Sequence, residues 1–174
     1  MTYTQAFTIL ILIVGIERIV ELIVSKRNLA WSRANGGIEF SFGHYPFMVF
    51  LHTGLLFGSL AEMYISKTKL IPELAWSMFF LAVASQILRW WCVKTLGKRW
   101  NTRIVLVPNL PRITTGPYKY LNHPNYVAVV IEGFALPLVG FSWITAIVFT
   151  ALNIPLLYVR IRAENQALAT LPKS

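Results

Sequence analysis

Residues 116–130 read GPYKYLNHPNYVAVV. Two turn-prone clusters, Gly116-Pro117 and Asn122-His123-Pro124-Asn125, flank a short aromatic and basic piece, and a long apolar run begins at once. A plain connecting loop needs no histidine, asparagines and tyrosines there. A site at a membrane surface does. Further on, RIRAENQAL sets Arg160 and Glu164 four apart, on one face of a helix. The pair is either a surface salt bridge of small worth or, at a membrane mouth, a guanidinium that grips a carboxylate beside a partner for a cation. Glu17, Arg18 and Glu21 share a helical neighbourhood inside an apolar stretch. They form an internal ion pair or face a polar cavity. His44 at the rim of the second apolar run is a candidate proton acceptor. His52, eight residues deeper, reads as a hydrogen-bonded core histidine.

Several chemistries are absent from the pattern. There is no HExxH, and His44 and His52 lie about 12 Å apart along a helix axis, so no metal site is expected. No P-loop or GxGxxG occurs. The chain lacks Asp altogether, which removes a Ser-His-Asp set, and no GxSxG elbow is present. The lone Cys92 excludes an intramolecular disulfide and a cysteine zinc motif and reads as packing. Net charge is +9, but the basic residues lie between apolar runs rather than on a polar domain, which disfavours nucleic acid as a partner.

The elements that must position these residues are membrane helices. The chain has 174 residues, 56% of them hydrophobic, enough for one domain over 1–174. A bilayer core of about 30 Å needs about 20 apolar residues. The expected spans are about 4–24, 45–65, 71–93, 124–139 and 141–159, the last two a helical hairpin broken by Pro137 and Gly140. The first run has no basic leader or cleavage site of a signal peptide. Segments 25–44 and 94–123 and the tail 160–174 then share one side and carry twelve basic residues, against Lys67 and Lys69 on the other. The positive-inside rule makes that side cytoplasmic and the N-terminus external. Arg89 beside Trp90 and Trp91 reads as a snorkelling anchor, and Glu62 as solvated at the outer interface. Glu132 inside the fourth helix has no such simple reading. The expectation is an all-α integral membrane protein of about five helices, with a cytoplasmic loop and a C-terminal helix.

The segment LGKRWNTRIVLVPNLPRITTGPYKYLNHPNYVAVVIEGFALPL, followed by RIRAENQAL, resembles the isoprenylcysteine carboxyl methyltransferase family, whose signature is a GPYxxxRHPxYxG-type segment, an apolar hairpin and an R-x-x-x-E-E tail. The upstream GIERIVELIVSKRN and FGHYPFMVFLH are similar to small bacterial members encoded near type III polyketide synthases, which methylate alkylpyrones or alkylresorcinols. Three positions depart: Asn122 replaces an arginine, Asn165 a second glutamate and Ala128 a glycine. The resemblance implies a bacterial membrane enzyme that uses S-adenosyl-L-methionine as methyl donor. It implies cofactor binding by Tyr118, His123, Pro124, Tyr126, Glu164 and Asn165. A cationic sulfonium favours aromatic faces and carboxylates, and a helix opened by His123-Pro124 suits the cofactor's carboxylate. Arg160 would orient the acceptor oxygen. A phenol would need a base, for which His44 and Glu21 are the candidates. The implied acceptor is a lipophilic small molecule entering from the lipid bilayer, foremost an alkylpyrone- or alkylresorcinol-like polyketide. A prenylcysteine carboxylate is second and a phospholipid amine third. A sterol-type reductase using nicotinamide and a non-catalytic membrane subunit or channel are the rival readings.

Overall fold

The computed structural model describes residues 1–40, 43, 45–66 and 70–171. Among these, five α-helices carry the fold: α1 Tyr3–Ala34, α2 Tyr45–Ile65, α3 Pro72–Leu96, α4 Pro124–Val139 and α5 Trp143–Leu168. Short 3-10 turns at Gly97–Arg99 and Gly116–Lys119 lie between α3 and α4. Among the described residues the strands are confined to a small antiparallel ribbon of β1 Ile38–Phe40 and β2 Ile104–Leu106, with Glu39 opposite Val105. His44 lies outside the described residues.

Helices α2, α3 and α5 are long and apolar enough to cross a membrane. Their exposed side chains are apolar, among them Phe50, Phe57, Phe80, Ile87, Ile147 and Ile154, as lipid-facing surfaces require. Helix α4 is short and central, with eleven of its 16 residues buried. It packs chiefly on α3 and α5. Gly133 permits the α4–α5 approach, since a Cβ there would lie 2.0 Å from the Phe149 ring. The expected hairpin is present: α4 ends at Val139, Gly140 and Phe141 turn the chain, and α5 starts at Trp143.

Helix α1 differs from expectation. Its 32 residues are about 48 Å long, well beyond a bilayer core of about 30 Å. A capping box between Thr2 and Gln5 starts it, no proline occurs within it, the single Gly15 does not interrupt it, and it ends at Asn35-Gly36-Gly37. The segment expected as a loop from 25 onward therefore begins as a helical extension.

The outer end is fastened by polar groups. Tyr3 donates to the Val139 carbonyl, and Ser142 Oγ donates to the Ser59 carbonyl at 2.7 Å. Glu62 is not merely solvated. Its carboxylate accepts from Ile144 N at 2.9 Å and from Thr145 N and Oγ1 at 2.8 Å each, and so caps α5, where negative charge favours a helix N-terminus.

Arg89 is a second correction. It is buried, not snorkelling, and pairs with Glu132 across α3 and α4. Arg18 bonds Glu21 at 2.9 Å and Gln86 at 3.1 Å, and Gln86 donates to Glu132 at 2.9 Å. Two arginines and two glutamates thus balance inside the bundle, and the fold brings together partners that stand 43 to 114 positions apart in the sequence. Glu17 pairs with Arg18 at 3.3 Å and accepts from Trp90 Nε1.

Candidate active site

The segment after α3 is built rather than slack. Asn28 Nδ2, one turn past the expected end of the first span, donates to the carbonyls of Gly97 at 3.1 Å and Trp100 at 2.7 Å. Ser25 Oγ accepts from Thr102 N at 3.0 Å. The extension of α1 therefore clamps residues 97–102. Farther along, Arg99 donates to the Pro111 carbonyl at 2.7 Å and Arg112 to Asn122 Oδ1 at 3.3 Å. Gly116, at φ 58, turns the chain so close to α3 that a Cβ would meet Thr95 Oγ1 at 2.5 Å. That approach seats Tyr118 against Cys92, and burial raises the Tyr118 phenol above its ordinary value.

Pro124 is the first residue of α4, with His123 as its N-cap. The His123 ring stacks on Tyr126 at 5.4 Å, and its Nε2 lies 2.9 Å from Asn165 Oδ1 on α5. Tyr126 donates to the Glu164 carboxylate, whose Oε2 is 3.6 Å from His123 Nδ1. The interaction with Glu164 holds the His123 imidazole above its ordinary range, against the opposing effect of partial burial. Four of the six expected cofactor residues thus touch one another: His123, Tyr126, Glu164 and Asn165. Tyr118 lines the same cavity, and Pro124 shapes the helix start without lining it.

Two cavities flank this cluster. The first, about 140 Å³, opens among the basic residues and is bordered by Arg99, Arg103, Arg112, Tyr118, His123 and Glu164. The second, about 150 Å³, lies within the helix bundle against Met48, His52, Arg18, Glu21, Asn153 and Leu156. Trp100, Asn101, Asn125, Tyr126 and Arg160 line both. Arg160 is buried in that shared wall. Its Nη2 donates to the Thr102 carbonyl at 3.0 Å, its Nη1 to Met48 Sδ at 2.8 Å, and its Cζ lies 5.7 Å from the Tyr126 ring centre. It makes no ion pair with Glu164, so the surface salt-bridge reading of that pair falls away among the described residues. Glu21 stands in the ion network at the edge of the second cavity, away from the His123–Glu164 cluster.

Asn101 was not singled out by sequence, and Asn125 only as a member of the Asn122–Asn125 cluster. Both amide atoms of Asn101, Oδ1 of Asn125, Nε of Arg160 and Nδ1 of His123 are buried without a hydrogen-bond partner. Buried polar atoms of this kind are rare in folded proteins, and leaving one unmade costs about 1–3 kcal/mol. Those of Asn101, Asn125 and Arg160 stand where the cavities meet, and Arg18 Nε, Glu21 Oε1, Arg89 Nε and Asn153 Oδ1, likewise without a partner, border the second cavity.

A helical bundle with three helices long and apolar enough to cross a membrane, and two adjoining cavities that share a wall of polar side chains, defines an integral membrane protein with a candidate site between its helices. Residues 78–170 match the isoprenylcysteine carboxyl methyltransferase family, and the chain belongs to that family of membrane methyltransferases. The uncharacterized protein YpbQ of Bacillus subtilis (strain 168) is 36% identical over 163 residues, which cover 93% of this chain and 96% of that protein. No solved structure matches the chain.

Proposed function

We propose that the protein is a single-domain S-adenosyl-L-methionine-dependent O-methyltransferase acting on a lipophilic acceptor at the cytoplasmic membrane face. The meeting of two cavities at Tyr126 and Arg160 carries the reading. One cavity opens among charged groups and the other within the apolar bundle, so a water-soluble donor and a lipid-soluble acceptor can approach one wall from opposite sides. The N-terminus is then external and the C-terminus cytoplasmic, because the basic residues cluster at the site's end.

The residues fit the cofactor. Glu164 with the rings of Tyr118 and Tyr126 suits a sulfonium cation, and the α4 N-terminus, where His123 is the N-cap, favours an anion. When bound, the cofactor supplies an electrophilic methyl group. The chain's own part is to hold Glu164 by His123 and Tyr126, to exclude water with buried Trp100, and to keep the Arg160 guanidinium beside the acceptor oxygen. The acceptor in this reading is an alkylpyrone- or alkylresorcinol-like polyketide, with a type III polyketide synthase as supplier, supported by the resemblance of GIERIVELIVSKRN to bacterial members of that kind.

The test is thermal unfolding of the detergent-purified protein with S-adenosyl-L-methionine or its demethylated product. A ligand that binds only the folded state at about 100 times its Kd stabilises by about 2.7 kcal/mol, so a rise in midpoint is expected. No rise at millimolar concentration would sink the reading.

A further inference from the structure

The first cavity is short of negative charge. Glu164 is the only acidic side chain among the described residues that border it, against Arg99, Arg103, Arg112, Arg160 and the imidazole of His123. His123 Nδ1 stands 3.6 Å from Glu164 Oε2, an ion-pair distance, and its Nε2 stands 2.9 Å from Asn165 Oδ1. Oxygen atoms thus face both ring nitrogens. A neutral imidazole has one hydrogen and answers one of them. An imidazolium has a hydrogen on each nitrogen and answers both. The ring also lies nearly parallel to Tyr126, 21° from it, and so meets a π face.

The charged groups around the ring come from three elements. From α5, Glu164 favours the proton, and Arg160, four residues earlier, acts on that carboxylate from a distance. From the segment before α4, Arg112 opposes the proton, as partial burial does. From α4 itself comes Tyr126, whose hydroxyl donates to the same Glu164 Oε2. The carboxylate prevails, and the ring holds its proton above the ordinary range.

A methyl donor of the sulfonium type and its demethylated product differ by one charge. The donor's sulfur bears three carbons and is cationic, whereas the product's bears two and is neutral. All their other groups are the same. A sulfonium drawn to Glu164 comes beside the imidazolium, and a like charge within about 4–6 Å disfavours the protonated ring. We propose that His123 tells the donor from the product: its proton and the sulfonium compete for the Glu164 carboxylate, so donor binding expels a proton and product binding does not. This rests on the methyltransferase reading and gives His123 a part in choosing between the two ligands. The step balances. The N–H bond at Nδ1 breaks as the donor enters, its electron pair stays on nitrogen, and the proton passes to water. Once the methyl has gone and the sulfur is neutral, Glu164 is free for His123 again, and the ring takes a proton back from water. Glu164 faces one cation in either state. A ring that recharges after transfer also keeps the site selective against a fresh donor until that proton leaves, so donor and product exchange with pH.

The experiment is isothermal titration calorimetry of the full chain in detergent with S-adenosyl-L-methionine and with S-adenosylhomocysteine. Each is titrated at pH 6 and pH 7 in two buffers that differ in ionisation enthalpy, which counts the protons exchanged. An α-amino group titrates at about 7.7–8.0 and stays largely protonated there. At pH 7 the donor should release about half a proton or more and the product none, and the Kd of donor relative to product should fall about threefold or more from pH 6 to pH 7. His123→Gln should abolish the release and flatten the ratio. A merely structural role would weaken both ligands alike and leave the difference in proton count in place. Equal proton counts for donor and product overturn the inference, and so does a difference that survives in His123→Gln. The parent protein's counts decide the matter if the variant fails to fold. Binding of neither compound strikes the methyltransferase reading and this inference with it, whereas binding of both with equal proton counts strikes this inference alone.

Discussion

The bundle buries two polar clusters that lie side by side and are built differently. In the first, Arg18, Glu21, Arg89, Glu132 and Gln86 pair with one another across α1, α3 and α4. Two positive charges meet two negative ones, so the network is closed in charge, although Arg18 Nε, Glu21 Oε1 and Arg89 Nε have no hydrogen-bond partner. In the second, Tyr126 and Glu164 are paired, and the unmatched atoms belong to Asn101, Asn125, Arg160 and His123. A network closed in charge within a low-dielectric interior fixes helices in register. What distinguishes the second cluster is that Asn101, Asn125 and Arg160 stand in the wall that both cavities share.

Breaking the closed cluster should have the largest effect. Glu132→Ala would leave Arg89 with only the Glu21 carboxylate at 3.9 Å, shared with Arg18, and removing one partner of a buried pair costs about 3–5 kcal/mol. The expected outcome is a sharp loss of folded protein on size-exclusion chromatography in detergent. Glu132→Leu with Arg89→Leu, which removes both partners, should recover much of the yield. If Glu132→Ala melts like the parent protein, the closed network is not the scaffold.

The second cluster should respond in function rather than in folding. Glu164→Ala is expected to weaken S-adenosyl-L-methionine binding about tenfold or more, as loss of a charged contact worth about 1.5–3 kcal/mol implies. The ligand-free midpoint should move little. Isothermal titration calorimetry reads the affinity, and unchanged affinity would take Glu164 out of the cofactor site. Arg160→Gln should lower turnover roughly tenfold at near-constant cofactor affinity. Steady-state kinetics against that titration separates the two, and a fall in cofactor affinity would move Arg160 to the other side of the wall.

The smallest effect is a pH dependence. The imidazole of His123 is held above its ordinary value by Glu164, so the folded state favours its protonated form. Its contribution to stability is complete below the ordinary value of about 6.5 and fades as the pH rises through the raised one. The midpoint of the ligand-free protein should therefore drop by roughly a few degrees across that window. His123→Gln should flatten the drop. A slope that persists in His123→Gln would assign it to another group.

How much of this was legible in the sequence follows from the range of each interaction. Pro137 and Gly140 announced the hairpin because helix breaking is local. Arg160 and Glu164 shared a helix, as their spacing implied, but which way each turned depended on Met48, Thr102 and Tyr126 far away in the chain. The resemblance gathered His123, Tyr126 and Glu164 in one place before any coordinates did. Arg89 was misread because Glu132, its partner, lies on another helix, and an arginine flanked by tryptophans looks the same whether it faces headgroups or a carboxylate. Asn101 carried no signal, since an asparagine in a polar connecting segment is ordinary until its amide is found buried and unmatched.

The clamp of Ser25 and Asn28 on residues 97–102 bears on modularity. The stretch matched to the family starts at residue 78, yet part of the cavity wall is held in shape by a helix that ends at residue 34. The family portion is thus not a transplantable cassette. A chimera that joins residues 78–170 to a foreign first helix would inherit the signature residues and lose the brace that sets Trp100 and Asn101 between the two chambers, unless the donor helix carries a serine and an asparagine three apart at the same height. Exchange of acceptor preference between relatives should accordingly travel with the first helix as well as with the signature.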